Sequence, residues 1–322
     1  MSKKIAVVTF NLGGPDNLDA VKPFLFNLFN DPAIITLPNP FRWLVAKLIS
    51  SRRAPIAQDI YREIGGKSPI LEETEKQRLK LESFLNKDTS DDYKCFIFMR
   101  YWHPFAKDVV KDVKAYEADE IILLPLYPQY SVTTTGSGII EWNKQAQKIN
   151  LDVPFRVIKD YPNHDFFINS VADMIREEIS GLENPENYRI LLSAHGLPKK
   201  TIESGDPYQK QVEITCAALM KTLENENLEH VVCYQSRVGP LEWIGPSTED
   251  EIERAGLDQK NIIMVPVAFV SEHSETLVEL DIEYKEVADE AGIKDYIRIS
   301  TVQDRDLFIK GLSNLVMEHR IK

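Results

Sequence analysis

The sequence predicts an α/β protein built of two Rossmann-like, doubly wound units. Three observations predict it. Short apolar runs alternate with stretches of helical periodicity along the whole chain. The runs fall into two sets, separated by a Pro- and Asn-punctuated break at Tyr161-Pro-Asn-His164. Each set opens with a strand-like run that ends in a Gly/Pro turn, Asn11-Leu-Gly-Gly-Pro15 in the first and Ala194-His-Gly-Leu-Pro198 in the second. Such alternation implies parallel sheets covered by helices on both faces. The expected units are residues 1–162 and 163–303.

In the first unit, strands are expected at Ile5–Phe10, Cys95–Arg100, Glu120–Pro125 and Phe155–Ile158. In the second they are expected at Tyr188–Ser193, His230–Gln235, Ile262–Phe269 and Tyr296–Ser300. Helical periodicity marks Leu71–Leu85, Phe105–Tyr116, Phe166–Ile179, Pro207–Leu223 and Glu275–Ala291. Val21–Ile49 is rich in Phe, Leu, Ile and Trp, but Pro23, Pro32, Pro38 and Pro40 interrupt it. It therefore reads as broken helices and not as one spanning helix.

Composition bounds the partners. The 322 residues carry a formal net charge of −12, with 43% hydrophobic and 27% charged residues. A nucleic-acid partner is not expected, because phosphate binding needs a basic face. A polybasic membrane anchor is disfavoured for the same reason. No leader sequence and no run of 18 apolar residues is read, and Cys95, Cys216 and Cys233 form no C-x-x-C, so reduced thiols in a cytoplasmic protein are expected.

Nucleotide motifs fail on inspection. Gly66-Lys-Ser68 looks like the end of a P-loop, but Tyr61 stands where the first glycine belongs, and the preceding stretch reads as helix. Gly136-Ser-Gly138 begins a dinucleotide pattern that ends on Glu141, whose carboxylate repels a pyrophosphate.

Two imidazoles and a carboxylate are better placed. His195 lies at one strand end; His273 and Glu275 lie past another. In open α/β sheets, ligands bind outside the carboxyl ends of strands. Such a set can hold a divalent metal and move protons. Residues 271–290 hold eight carboxylates and one lysine, and Glu275, Glu279 and Glu283 recur every fourth residue. Two readings stand: a solvated acidic face, or a carboxylate ladder passing a cation inward. Like charges at that spacing weaken an α-helix. His273 and Glu275, two residues apart, share no helical face, which predicts irregular geometry such as a π-bulge.

These residues also carry a resemblance. The chain resembles the ferrochelatase family over nearly its whole length. The resemblance rests on Asn11–Pro15, Ile64–Ile70, Met99–Pro104, Leu124–Ser131 with Thr134–Ser137, Ser193–Pro198, Gly205–Tyr208, Tyr234–Pro240, Trp243–Pro246 and Phe269–Asp281, in family order.

The resemblance implies insertion of ferrous iron into protoporphyrin IX to give protohaem, in a cleft between the two units. It implies that His195 is the active-site histidine, a metal ligand and pyrrole-proton acceptor. Glu275 is implied to be its partner carboxylate and metal ligand across the porphyrin, and His273 the histidine that supports Glu275. Leu12, Arg100, Tyr130, Tyr208, Trp243 and Phe269 match porphyrin-lining positions, and Glu279 and Glu283 an outer metal route. The last helix, 304–322, is implied to return to the first unit.

Departures matter too. Some family members hold an iron–sulfur cluster on C-terminal cysteines; here no cysteine follows Cys233, and Val132 occupies an upstream ligand position. No cluster and no tightly bound cofactor are expected. The segment Gln235–Pro240 resembles the protoporphyrin branch rather than the coproporphyrin one. Part of the Val21–Ile49 stretch reads as a buried helix pair, and part is expected to form a mobile apolar lip over the cleft that also touches a membrane weakly, at the inner face, without spanning it. A chelatase for another metal and tetrapyrrole, or a non-catalytic porphyrin carrier, would share the scaffold; the carrier would need neither Glu275 nor the acidic row.

Overall fold

The computed structural model describes residues 2–223, 228–237, 239 and 241–321. The chain divides into two compact units, Met1–Asp160 with Ile309–Lys322, and Tyr161–Phe308. Each is built on one four-stranded, wholly parallel sheet.

The first unit contains β1 (Lys4–Asn11), β2 (Asp92–Met99), β3 (Glu120–Pro125) and β4 (Phe155–Val157), in the order β2-β1-β3-β4. The second contains β5 (Tyr188–His195), β6 (Glu229–Gln235), β7 (Asn261–Pro266) and β8 (Tyr296–Arg298), in the order β6-β5-β7-β8. In both, the first strand lies between the second and third. The chain therefore runs outward on one side and crosses back to the other. That creates a topological switch point at the carboxyl ends of the inner strands, where this sheet class binds ligands. The central strands are buried on both faces, which is why they read as continuous apolar runs.

Differences from expectation sit at element ends. β7 stops at Pro266, so Phe269 lies in the loop beyond it. β5 continues to His195, which is its last residue. β2 stops at Met99, leaving Arg100 just past the sheet. The Val21–Ile49 stretch holds the helix Val21–Phe29 and the start of a longer helix, Phe41–Glu63, which accommodates Pro55. Val238 and Pro240 of the Tyr234–Pro240 motif lie outside the described residues.

The first core gathers Phe10, Phe98 and Trp142; Phe98 stacks on Phe10 at 5.1 Å and on Trp142 at 6.1 Å between ring centres. The second gathers Leu191, Cys233, Ile262, Met264, Leu280 and Tyr284. The helix Asp306–Glu318 starts in the second unit and ends in the first. Beyond it, Arg320 pairs with Glu120 and Asp91, both at 3.0 Å, and Tyr93 Oη donates to Met317 Sδ at 3.1 Å. Each unit also inserts a π-helical segment after its third strand, Val132–Gly136 and Glu279–Glu283. The second meets the expected irregularity.

Candidate active site

The second unit's switch point brings three segments together. His195 ends β5, Gln235 ends β6, and after β7 the chain turns through Val267–His273 into a short helix, Ser274–Leu277. The β5 and β6 ends meet closely: Gly196 N donates to Gln235 O at 2.8 Å. A Cβ at Gly196 would stand 2.8 Å from that same oxygen, so only glycine fits directly after His195.

His195 Nδ1 lies 2.8 Å from Glu275 Oε2. His273 Nε2 lies 3.9 Å from the same oxygen, and the His273 ring meets Phe269 edge-on at 4.5 Å. The side chains of His195 and Glu275 remain 35% and 29% exposed, so each keeps an open face. His195 and Glu275 are thus joined directly as one hydrogen-bonded pair.

Charges follow from this geometry. Burial would lower the His195 pKa, but the charge and hydrogen bond of Glu275 outweigh it and hold the imidazole above its ordinary value. Burial would raise Glu275, yet His195 and then His273 pull it well below the carboxylate range. His273 goes the other way: burial dominates and keeps it neutral to lower pH. Glu279 is raised, by burial and by the neighbouring charge of Glu275.

Glu279 is nonetheless firmly held. It accepts from Gln235 Nε2 at 2.9 Å, Ser236 N at 2.7 Å, Ser236 Oγ at 2.5 Å and Tyr284 Oη at 3.1 Å. Gln235 Nε2 also donates to Glu275 O at 2.9 Å, and Gln235 Oε1 accepts from Ser193 Oγ at 2.8 Å. Gln235 and Ser236 are thus the functional residues the sequence reasoning missed. A glutamine ending an apolar strand marks Gln235 alone; nothing local pairs it or Ser236 with Glu279. Glu283 is different. It is exposed, and partial desolvation together with the neighbouring charges of Glu249 and Glu286 raises its pKa. The acidic row is therefore one gripped carboxylate and one solvent-facing one.

Tyr208 is buried at the start of the helix Tyr208–Thr222, and Trp243 is half-buried with its ring 3.5 Å from the space beside Gly196. The first unit holds the other three candidates at its own strand ends. Leu12 follows β1 and packs with Val21, Phe24, Leu25 and Tyr101. Tyr130 sets its hydroxyl against Gly136 of the π segment. Arg100 pairs with buried Asp31 at 2.7 Å and donates from Nε to Ser137 Oγ at 2.7 Å. Asp31 also accepts from Tyr101 Oη at 2.8 Å; no sequence signal marked it. Among the described residues, no three His, Cys, Asp or Glu side chains form a ready metal cage.

The family model described as Ferrochelatase matches residues 4–320. The chain belongs to the ferrochelatase family. The ferrochelatase of Pelagibacter ubique is 53% identical over 98% of this chain and 91% of its own length. That of Rickettsia bellii is 53% identical over 98% and 87%, and that of Caulobacter vibrioides 51% over 99% and 91%. Among solved structures, SirB from Bacillus subtilis with Fe3+ matches with a TM-score of 0.56 at 13% identity, covering 98% of this chain and 95% of its own. CbiX, the terminal enzyme of sirohaem biosynthesis in denitrifying bacteria, matches at 0.52 and 11%, covering 99% and 100%. These likenesses show the fold of the ferrochelatase chain as one shared with other chelatases.

Proposed function

We propose that His195, backed by Glu275, carries the proton chemistry of iron insertion in this ferrochelatase. The reaction places Fe2+ in protoporphyrin IX to give protohaem, the terminal step of haem synthesis, and two pyrrole N–H protons must leave. The observation that carries the proposal is the 2.8 Å contact between His195 Nδ1 and Glu275 Oε2. With Nδ1–H donated to the carboxylate, Nε2 presents its lone pair to the substrate. The raised basicity of the ring suits it to accept a proton near neutral pH. Once protonated, the imidazolium is stabilised by the carboxylate behind it. His273 stays neutral beside the pair and braces Glu275 and Phe269.

Iron is a substrate in this scheme. His195 Nε2 and the open face of Glu275 are the donors it meets at the macrocycle, and Glu279 stands on its route. Leu12, Arg100, Tyr130, Tyr208, Trp243 and Phe269 line the porphyrin. A resident iron–sulfur cluster has no part. The three cysteines, Cys95, Cys216 and Cys233, are buried and free, and they stand on three separate elements. Anaerobic incubation with ferrous iron and separate porphyrins tests the reading. Catalytic loss of protoporphyrin fluorescence is expected, with slower loss for coproporphyrin; equal or reversed rates would assign the other branch.

The acidic row yields a milder prediction. Glu279→Gln should raise the KM for iron about tenfold with a smaller effect on kcat. Glu283→Gln, at an exposed position, should shift it less. Equal effects from the two in steady-state kinetics would contradict the assignment of Glu279 as the inner group.

The apolar surface of the helix Phe41–Glu63 carries a further prediction. Phe41, Leu44 and Leu48 are more than half exposed along one face, with Trp43 and Leu37 beside them. No described helix is long and apolar enough to cross a membrane. The face suits a lip that handles a lipophilic porphyrin and rests weakly on lipid, which supports the reading of a cytoplasmic protein peripheral to the membrane. Porphyrin should slow hydrogen exchange across residues 21–49, and liposomes should sediment part of the protein. Full protection without porphyrin, and no sedimentation, would make the stretch ordinary structure.

A further inference from the structure

The π turn that carries Glu279 is gripped from the sheet edge. Ile282 N and Glu283 N both donate to Val278 O at 2.9 Å, so the turn is widened by one residue. Widening frees carbonyl groups that need other donors. The Leu280 carbonyl finds one in Tyr296 Oη at 2.7 Å. The next side chain, Asp281, takes Arg298 Nε at 2.6 Å and Nη2 at 2.5 Å. The remaining Arg298 nitrogen, Nη1, donates to Glu272 Oε1 at 2.7 Å, immediately before His273. Thr301 N reaches the same Glu272 oxygen at 2.8 Å. Arg298 and Glu272 are 11% and 6% exposed, so the pairing is shielded from water. Tyr296 and Arg298 are two of the three residues of β8, an edge strand paired only to β7.

We propose that Arg298 and Tyr296 are positioning residues for iron handling. They hold the widened turn so that Glu279 stays on Gln235 and Ser236, close to Glu275. Relaxation of the turn to α-helix would shift the register by one residue, about 100° around the axis, and take Glu279 off Ser236. Arg298 also ties the residue before His273 to the same turn, so one guanidinium fixes both flanks of the Glu275–Glu279 segment. The proposal rests on the reading of Glu279 as a group on the iron route.

The test measures KM for ferrous iron and for porphyrin separately in the full chain. Arg298→Met is expected to raise the KM for iron about tenfold and leave the KM for porphyrin within about twofold. Adding Arg298→Met to Glu279→Gln should raise it no further, because both remove the same positioned carboxylate. Tyr296→Phe, which deletes one hydroxyl, should act in the same direction more weakly, and it carries the test should Arg298→Met not fold. Lower thermal stability with an unchanged KM for iron would overturn the proposal, as would additive effects with Glu279→Gln. If Glu279→Gln itself leaves the KM for iron unchanged, the reading of Glu279 fails, and the clamp has nothing to position.

Discussion

Replacing His195 with alanine is expected to abolish iron insertion while the protein stays folded. The imidazole is the last side chain of β5, 35% exposed, and is hydrogen-bonded to Glu275, which is 29% exposed. Its removal opens no large void in the core built from Leu191, Ile262 and Met264. It does remove the basic nitrogen that receives a pyrrole proton. General acid–base catalysis contributes about 10²–10⁴-fold, and the same nitrogen also meets the metal, so a loss at or beyond the upper end is expected. Far-ultraviolet circular dichroism and the thermal midpoint should stay close to those of the parent. Turnover within a factor of ten of the parent would remove His195 from the mechanism.

Glu275→Gln should cut turnover nearly as far and should also move the pH profile, which separates its role from that of a simple brace. In the parent, Glu275 holds His195 above the ordinary imidazole value. His195 accepts a proton only when neutral, so kcat/KM should fall as pH drops through that raised value. The amide keeps the shape but has no charge. Burial then acts on His195 unopposed by its carboxylate partner, and the ring's pKa falls. The acidic limb should therefore shift to lower pH on a much reduced plateau. An acidic limb that stays in place, or moves to higher pH, would mean that Glu275 does not set the basicity of His195.

The parts of this site that were legible in the sequence are those that depend on chain-local logic. His195 stands out because an apolar run ends on it, and buried parallel strands read as such runs. The irregular turn around Glu279 was foreshadowed by like charges at helical spacing beside a histidine that shared no face with them. The grip of Gln235 and Ser236 on Glu279 was not legible, because it joins β6 to a turn more than forty residues later. Asp31 was hidden for the same reason: its partners Arg100 and Ser137 come from two distant segments. The direct contact of Glu275 with His195 depends on how Val267–His273 leaves the sheet. No spacing rule encodes that path. The helix Phe41–Glu63 was read only in pieces, as broken helix up to Ile49 and as helix again before Gly65, and the structure joins them through Pro55.

The ion pairs at Arg320 bear on how the protein is made. Glu120 is almost wholly buried at the start of β3, and its carboxylate is answered by Arg320 and by the Ile321 amide, 200 residues later. A chain emerging from the ribosome in sequence order completes β1 to β4 long before Arg320 is made, so Glu120 waits for this cation. A buried carboxylate without its cation is costly. The first unit to be translated is thus locked only after Tyr161–Phe308 has been made.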